Sequence, residues 1–468
     1  MDAVRRRIAG RQWTAGTRLP SVRSMAGAMA VSISTVVEAY GRLEAEGLLE
    51  ARRGSGFYVA PALPALSLQD VGPRLDREVD PLWVARQSLQ GGEALLKPGC
   101  GWLPAEWMPH ESLGKALRAV ARAQPAERAD YADVHGHPGL RQLLARRLQD
   151  LAIAAAPGQI MLADSGTQAL DLLCRLLLEP GDTVLVDDPC YFNFHSLLRA
   201  HRVQVVGVPY TREGPDLAAF EQALARHQPR LYLTNAALHN PTGASLSPAV
   251  AHRLLTLAAR ADLTLVEDGI FDDLEEAPSP RLAAYGGLAR VVYIGSFSKT
   301  LSAAVRCGYI VARGDWIEAL ADLKVATAFS HARLGAETVY QLLKGGAYRR
   351  HVEGLRERLA RTRAGVSTRL RALGLPPWIE PSGGMFLWCQ LPDGVDGAAL
   401  ARDALARGVV LAPGQVFGSS PQTARFMRFN VAQCLDPGLE PTLAALLGQA
   451  QSGRPAPACA AGPVRRAG

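Results

Sequence analysis

The stretch Val291-Val-Tyr-Ile-Gly-Ser-Phe-Ser-Lys-Thr-Leu-Ser-Ala-Ala-Val-Arg-Cys-Gly-Tyr-Ile-Val-Ala312 sets one lysine, Lys299, in a small-residue loop between two apolar runs. A single arginine, Arg306, follows before the second run. Runs of the same kind recur upstream as TVLVDDP, VQVVGVP, RLYLTN and LTLVEDG, separated by long stretches of helical period. Continuous apolar strands that alternate with helices predict an α/β domain built on a parallel sheet with both faces covered. The pattern spans residues 100–450. Loops at the carboxyl ends of such strands are where these domains bind ligands, so Lys299 stands where chemistry is expected.

The remaining chain divides by composition. Residues 1–60 hold nine arginines against five acidic residues, a balance of +4 within a chain of 468 residues and net charge +7. A basic module at one end predicts a polyanionic partner. Residues 61–99, rich in proline and glycine with no sustained period, read as a linker with one short helix. Residues 451–468, SGRPAPACAAGPVRRAG after the first residue, read as a disordered tail. Hydrophobic residues make up 48% and charged residues 20%, a globular composition. No run approaches the ~18 apolar residues of a membrane span, and the N-terminal residues show no apolar h-region of the kind a signal peptide carries. Seven scattered cysteines without C-x-x-C spacing predict neither a disulfide framework nor a zinc site. A cytoplasmic protein is the expectation. His135, His137, His195 and His239 lack metal-ligand spacing and read as structural; no metal is expected.

In the first module, Val22, Met25, Ala26 and Met29 fall at helical spacing after Ser21, a natural N-cap. A second helix starts near Ser34, where Val36, Ala39, Tyr40 and Leu43 make an inward stripe. LLEARRGSGFYVA then reads as two strands around a basic Gly-Ser-Gly turn. Two helices, a short turn and a basic hairpin make a small α+β winged helix-turn-helix, with the second helix facing the major groove of double-stranded DNA. GTRLPSVR, VSISTVVEAYGRLEAEGLL and GSGFYV resemble the GntR family of regulators. The resemblance implies DNA contacts from Arg23, Ser32, Ser34 and Thr35 and, in the wing, Arg52, Arg53, Gly54 and Ser55. Two departures stand out. Ile33 and Val37 occupy positions where family members often carry arginine, the commonest reader of guanine. The first helix is confined to MDAVRRRIAG, so it is short or begins upstream of Met1.

In the large domain, Lys299 alone reads more readily as an ordinary surface or salt-bridged lysine in a turn. Its weight comes from what a Schiff-base lysine needs around it. MLADSGTQALDLLCRLLL is a strand, then Ser165-Gly166-Thr167, then a helix, an arrangement that offers backbone N–H groups to a phosphate or simply caps the helix. Arg306, Ser296 and Ser298 add donors for the same phosphate. LTLVEDG ends in Asp268, a carboxylate suited to a ring nitrogen or to helix capping. LHNPTGASLS turns at Asn240, and Tyr191 follows a strand where an aromatic ring stacks on a flat cofactor. Arg428, inside an apolar stretch, calls for a carboxylate.

The order Y-x-x-x-x-G from Tyr131, S-G-T, the tyrosine after a strand, N-P-T-G, D-x-x-F, S-x-S-K with a following arginine, and a late R-x-N resembles the fold-type I aminotransferases across residues 100–450. The resemblance implies pyridoxal 5′-phosphate held covalently by Lys299, with Ser165, Gly166, Thr167, Ser296, Ser298 and Arg306 on the phosphate. Tyr131 would reach the phosphate of a second subunit. Tyr191 would stack on the ring, Asn240 meet its phenolic oxygen, Asp268 its nitrogen, and Arg428 a substrate carboxylate. Phe271 departs: the family places tyrosine there, and phenylalanine removes a hydroxyl donor, which predicts impaired exchange of the amine on the cofactor rather than lost binding. Both modules together are similar to the MocR/PdxR-type subfamily of GntR regulators. That similarity implies a head-to-tail homodimer on promoter DNA, responsive to pyridoxal phosphate or a small amino compound. A working amino acid aminotransferase with a secondary DNA-binding module stands as the alternative.

Overall fold

Ser21 and Ser32 each place a side-chain oxygen on a backbone N–H three residues on, Ser24 at 3.2 Å and Thr35 at 3.1 Å, and so fix where two helices begin. In the computed structural model these helices are α2, Val22–Met29, and α3, Ile33–Ala45; α1, Asp2–Ala9, precedes them. The structure describes residues 1–9, 12–52, 54–60, 79–90, 95–123 and 129–452. They fall into two units, Met1–Arg74 and Leu75–Gly468. Arg53, most of the segment read as linker, and the tail beyond Ser452 lie outside the described residues.

In the first unit, Val36, Tyr40 and Leu43 of α3 pack against Val4, Leu19, Met25 and Ala26 and against the hairpin residues Leu49 and Val59. The hairpin joins β1, Leu49–Arg52, to β2, Gly56–Val59, antiparallel with Arg52 opposite Gly56. Its turn requires positive φ at Gly54 (75°) and Gly56 (106°), conformations glycine adopts without a Cβ penalty.

The second unit is built on an eight-stranded sheet in the order β3-β10-β9-β8-β7-β4-β5-β6. The strands are β3 Ile160–Ala163, β4 Thr183–Asp188, β5 Gln204–Thr211, β6 Gly214–Pro215, β7 Leu231–Thr234, β8 Thr264–Asp268, β9 Val291–Ser296 and β10 Gly308–Val311. Alternate residues serve opposite faces, as a two-residue period demands. Val184, Leu233, Val266 and Ile294 pack on one side, while Leu185, Tyr232, Leu265 and Tyr293 pack on the other.

The sheet corrects the expectation of an all-parallel arrangement. β4, β5, β7, β8 and β9 are parallel, whereas β10 is antiparallel to both β9 and β3, and the short β6 is antiparallel to β5. A parallel return needs a crossover that covers a face of the sheet, usually a helix. Residues 297–307, which carry Lys299 and Arg306, contain only a three-residue 3-10 helix, Ala303–Val305, so the chain comes straight back beside β9. One consequence positions the site. The amino end of β10 lies on the same edge as the carboxyl ends of its parallel neighbours, and Arg306 lands beside the loops that follow β3, β4, β7, β8 and β9.

A smaller sheet, β11 Phe386–Gln390, β12 Ala412–Pro413 and β13 Phe426–Asn430, pairs in the order β11-β13-β12. The 26-residue helix Ala347–Ala372 contributes Leu355, Leu359, Val366 and Leu370 to the core under it. The helix Pro81–Gln90 belongs to this core as well: Trp83 and Val84 are each 1% exposed within it. The large domain therefore starts ahead of residue 100. A buried tryptophan and its neighbouring valine dock a segment whose composition reads as linker.

Candidate functional site

A cavity of about 340 Å3 opens at the edge described above. Its lining includes Ser165, Gly166, Thr167, Tyr191, Asn240, Asp268, Phe271, Ser296, Ser298, Lys299 and Arg306. Residues far apart in sequence thus meet because each follows, or for Arg306 precedes, a strand end at one edge. Tyr131 does not join them in its own chain: it is 73% exposed, its ring 4.7 Å from that of Phe329, which is itself 59% exposed.

Ser165 caps the helix Gly166–Leu177, accepting from the Gln168 N–H at 3.0 Å. The first N–H groups of that helix therefore point at the cavity, where its dipole favours an anion. A Cβ at Gly166 would make ordinary contacts, at 3.7–3.9 Å, with Ile294, Ile270 and Ser296. Ser296 Oγ lies 3.1 Å from Ser298 Oγ. Arg306 is exposed, has no ion pair among the described residues, and holds a left-handed backbone at φ 52°, a conformation that costs a non-glycine residue free energy and concentrates at functional sites.

Lys299 is half-buried, and desolvation pushes its amine down to about 8, partly opposed by Cys100 and Asp268 and aided by Arg428. Its loop is tied down behind it. Thr300 Oγ1 bonds to the Tyr348 hydroxyl, which donates to Asp273, and His351 Nε2 lies 2.7 Å from the Thr300 carbonyl. Burial pushes Asp268 up to about 6 against the Ile270 N–H, which donates to it at 3.1 Å. An acid so held gains from a cationic hydrogen-bond donor in the cavity.

Arg428, on β13, is fully buried with no carboxylate partner among the described residues. Its Nη1 donates to Asn240 Oδ1 at 2.8 Å and its Nη2 to the Gly99 carbonyl at 2.7 Å. Phe386 and Phe417 flank the guanidinium at 4.3 and 4.8 Å from their ring centroids. Burial lowers it to about 10. With its oxygen engaged by Arg428, Asn240 is left to present its amide nitrogen to the cavity. The Asn240 loop is braced in turn by His239, whose Nδ1 lies 2.8 Å from Thr242 Oγ1 and whose ring stacks on Tyr210 at 3.8 Å. Phe271 packs edge-on against Phe386 at 5.4 Å.

Sequence reading missed two contributors. Asn235, directly after β7, lines the cavity and donates to the Asp268 carbonyl at 2.7 Å; its place after a strand was the available signal. Gly101 stands where a Cβ would lie 3.8 Å from Lys299 Nζ and 3.9 Å from Arg428 Nη2. Nothing in the letters PGCGW marks it.

On the first unit, Ser32 Oγ lies 2.8 Å from Ser34 Oγ and 2.7 Å from Thr35 Oγ1, a hydroxyl cluster at the start of α3. Arg23 is exposed on α2. Arg52 sits over the Tyr58 ring at 4.4 Å, and Ser55 Oγ is 2.6 Å from the Tyr58 hydroxyl. Among the described residues no helix is long and apolar enough to cross a membrane.

Comparison with known proteins agrees with both units. Residues 105–446 match the model of class I and II aminotransferases, and residues 1–59 that of the gntR family of bacterial regulatory proteins. The HTH-type transcriptional regulator YdcR of Escherichia coli is 30% identical, over 92% of this chain and 94% of its own. The 2-aminoadipate transaminase of Thermus thermophilus is 31% identical over 71% of this chain and 84% of its own. The crystal structure of LysN, an α-aminoadipate aminotransferase from the same organism complexed with N-(5′-phosphopyridoxyl)-L-leucine, superposes with a TM-score of 0.70 at 28% identity, covering 79% of this chain and 94% of LysN. The cavity suits the group held there: a lysine of lowered pKa, a buried acid that makes no ion pair among the described residues, and a helix start with hydroxyls and an arginine without an ion pair among the described residues are what pyridoxal 5′-phosphate requires.

Proposed function

The chain belongs to the class I and II aminotransferase family and carries a GntR-family helix-turn-helix, the MocR/PdxR-type arrangement, and on that premise we propose that it is a transcriptional regulator whose large domain senses pyridoxal phosphate and an amino compound through Lys299. The observation that carries this reading is that Lys299, Asp268 and Asn240 line one cavity, with the buried Arg428 bonded to Asn240, in a chain fused to a DNA-binding module.

When bound, pyridoxal phosphate supplies an electrophilic carbon and an electron-withdrawing ring. Lys299, held near 8 by burial, has a sizeable neutral fraction at physiological pH and so a nucleophilic amine without a separate base. Ser165, Gly166, Thr167, Ser296, Ser298 and Arg306, which line the cavity, would hold the phosphate. Tyr131, turned outward in its own chain, is the contribution to a second subunit's site, which requires a homodimer. Tyr191 and Phe271 would hold the ring. Asp268 would orient it through its nitrogen, and the Asn240 amide would donate to its phenolic oxygen, without the second donor a tyrosine at 271 would give. Arg428 takes the effector's carboxylate, releasing Asn240 Oδ1 or the Gly99 carbonyl.

Amino acid transamination is the second reading, favoured by the same residue set and by the similarity to the 2-aminoadipate transaminase. Selecting genomic fragments with the full chain, with and without pyridoxal phosphate, separates the two. A regulator enriches a few promoter sites in a cofactor-dependent way; uniform retention, or none, with turnover of amino acids would establish the enzyme.

A further inference from the structure

α3 presents a face that is unusual for a basic DNA reader. Ile33 and Val37, one turn apart, are each 53% exposed, and Met29 and Val31 on the preceding turn are 47% and 42% exposed. They lie beside the core stripe of Val36, Tyr40 and Leu43 and are not among its buried residues. The polar groups beside them are already engaged. Ser32 bonds to both Ser34 and Thr35, and Glu38 pairs with Arg42 at 2.5 Å. Gly41 continues the row of Ile33 and Val37, and a Cβ there would meet nothing within 4 Å. Arginine is absent from that row, although the unit as a whole is basic and exposes Arg18, Arg23 and Arg52 around it.

Charge of this sign complements a phosphate backbone, while the central row complements something apolar. The major groove offers one apolar feature, the C5-methyl of thymine. We infer that α3 reads its operator through thymine methyl groups, with Ile33 and Val37 packing on methyls of neighbouring base pairs. Arg23, Arg52 and the hydroxyl cluster at the start of α3 then set the register through phosphates without carrying sequence information. Half-sites chosen by this helix contain thymine at the positions under Ile33 and Val37. The inference rests on the DNA-binding reading of this module.

The test begins with selection of a random duplex library by the full-length protein. The winning duplex is then synthesised with each thymine replaced in turn by uracil, which removes the methyl and leaves the hydrogen-bonding edge intact. At the contacted positions affinity should fall about fourfold per methyl, the worth of burying one such group. The loss at one position should vanish in Ile33→Ala and at another in Val37→Ala. Alanine on an exposed helical face keeps the fold, since it is the best helix former. Winning half-sites without thymine, uracil duplexes bound as well as thymine duplexes, or equal losses in wild type and variants would each overturn the inference while leaving DNA binding in place. So would variants that alter self-association but not DNA affinity, because the face would then belong to a second copy. No duplex retained at all would instead remove the DNA-binding reading itself.

Discussion

Lys299 and Asp268 owe their altered acidities to the same burial, with opposite signs for an amine and an acid. The neutral amine is the species that captures an aldehyde, so covalent uptake of pyridoxal phosphate should rise with pH to a midpoint near 8. For an ordinary lysine the rise would continue to about 10.4. Stopped-flow absorbance between pH 6 and 10 reads this directly, and Lys299→Ala should abolish the visible band. Phe271→Tyr restores a donor to the phenolic oxygen. It should lower the pH midpoint of the cofactor's visible absorption and raise any turnover with amino acids; an unchanged midpoint would make the missing hydroxyl irrelevant. Lys299, Asp268, Asn240 and Arg306 were legible in the sequence because each is a charged or amide group at the end of an apolar run. Gly101 was not, because its contribution is an absent side chain, visible only once Lys299 and Arg428 are seen facing it. Gly101→Leu should fill that space, crowd both Lys299 and Arg428, and weaken binding of a carboxylate-bearing amine at least tenfold, measured by titration.

Among the elements, strand periodicity and the alternation with helices predicted the α/β architecture, and the four upstream apolar runs and the two that flank the Lys299 loop are all strands. The direction of β10 was hidden. A four-residue apolar strand reads the same in either sense, and only the shortness of the 297–307 connection argues for a reversal. A short helix was expected between residues 61 and 99, but the docking of Pro81–Gln90 in the large-domain core was hidden for a different reason: proline and glycine around it dominate the composition, while its docking depends on two side chains. Trp83→Ala removes a side chain 1% exposed in the core and should cost about 3–5 kcal/mol, seen as a lower melting temperature of the large domain. An unchanged transition would return the segment to the linker. In the first unit the helix starts were legible through Ser21 and Ser32, whose capping bonds the structure contains.

For the whole molecule, two units with separate cores become one regulator only if a ligand in the large domain binds two states unequally and the DNA-binding modules distinguish those states. Homodimerisation, which the outward-facing Tyr131 and Phe329 support, would bring two half-site readers together and raise their joint affinity through effective concentration. The coupling between cofactor and DNA is reciprocal by thermodynamic necessity, with a typical size of about 5–150-fold. The decisive measurement is therefore a paired titration on the full chain: affinity for a selected promoter duplex with and without pyridoxal phosphate, and affinity for pyridoxal phosphate with and without that duplex. Sensing through Lys299 predicts that both affinities change by one common factor, and that the effect on DNA disappears in Lys299→Ala. A DNA affinity indifferent to pyridoxal phosphate in the wild-type protein would contradict it.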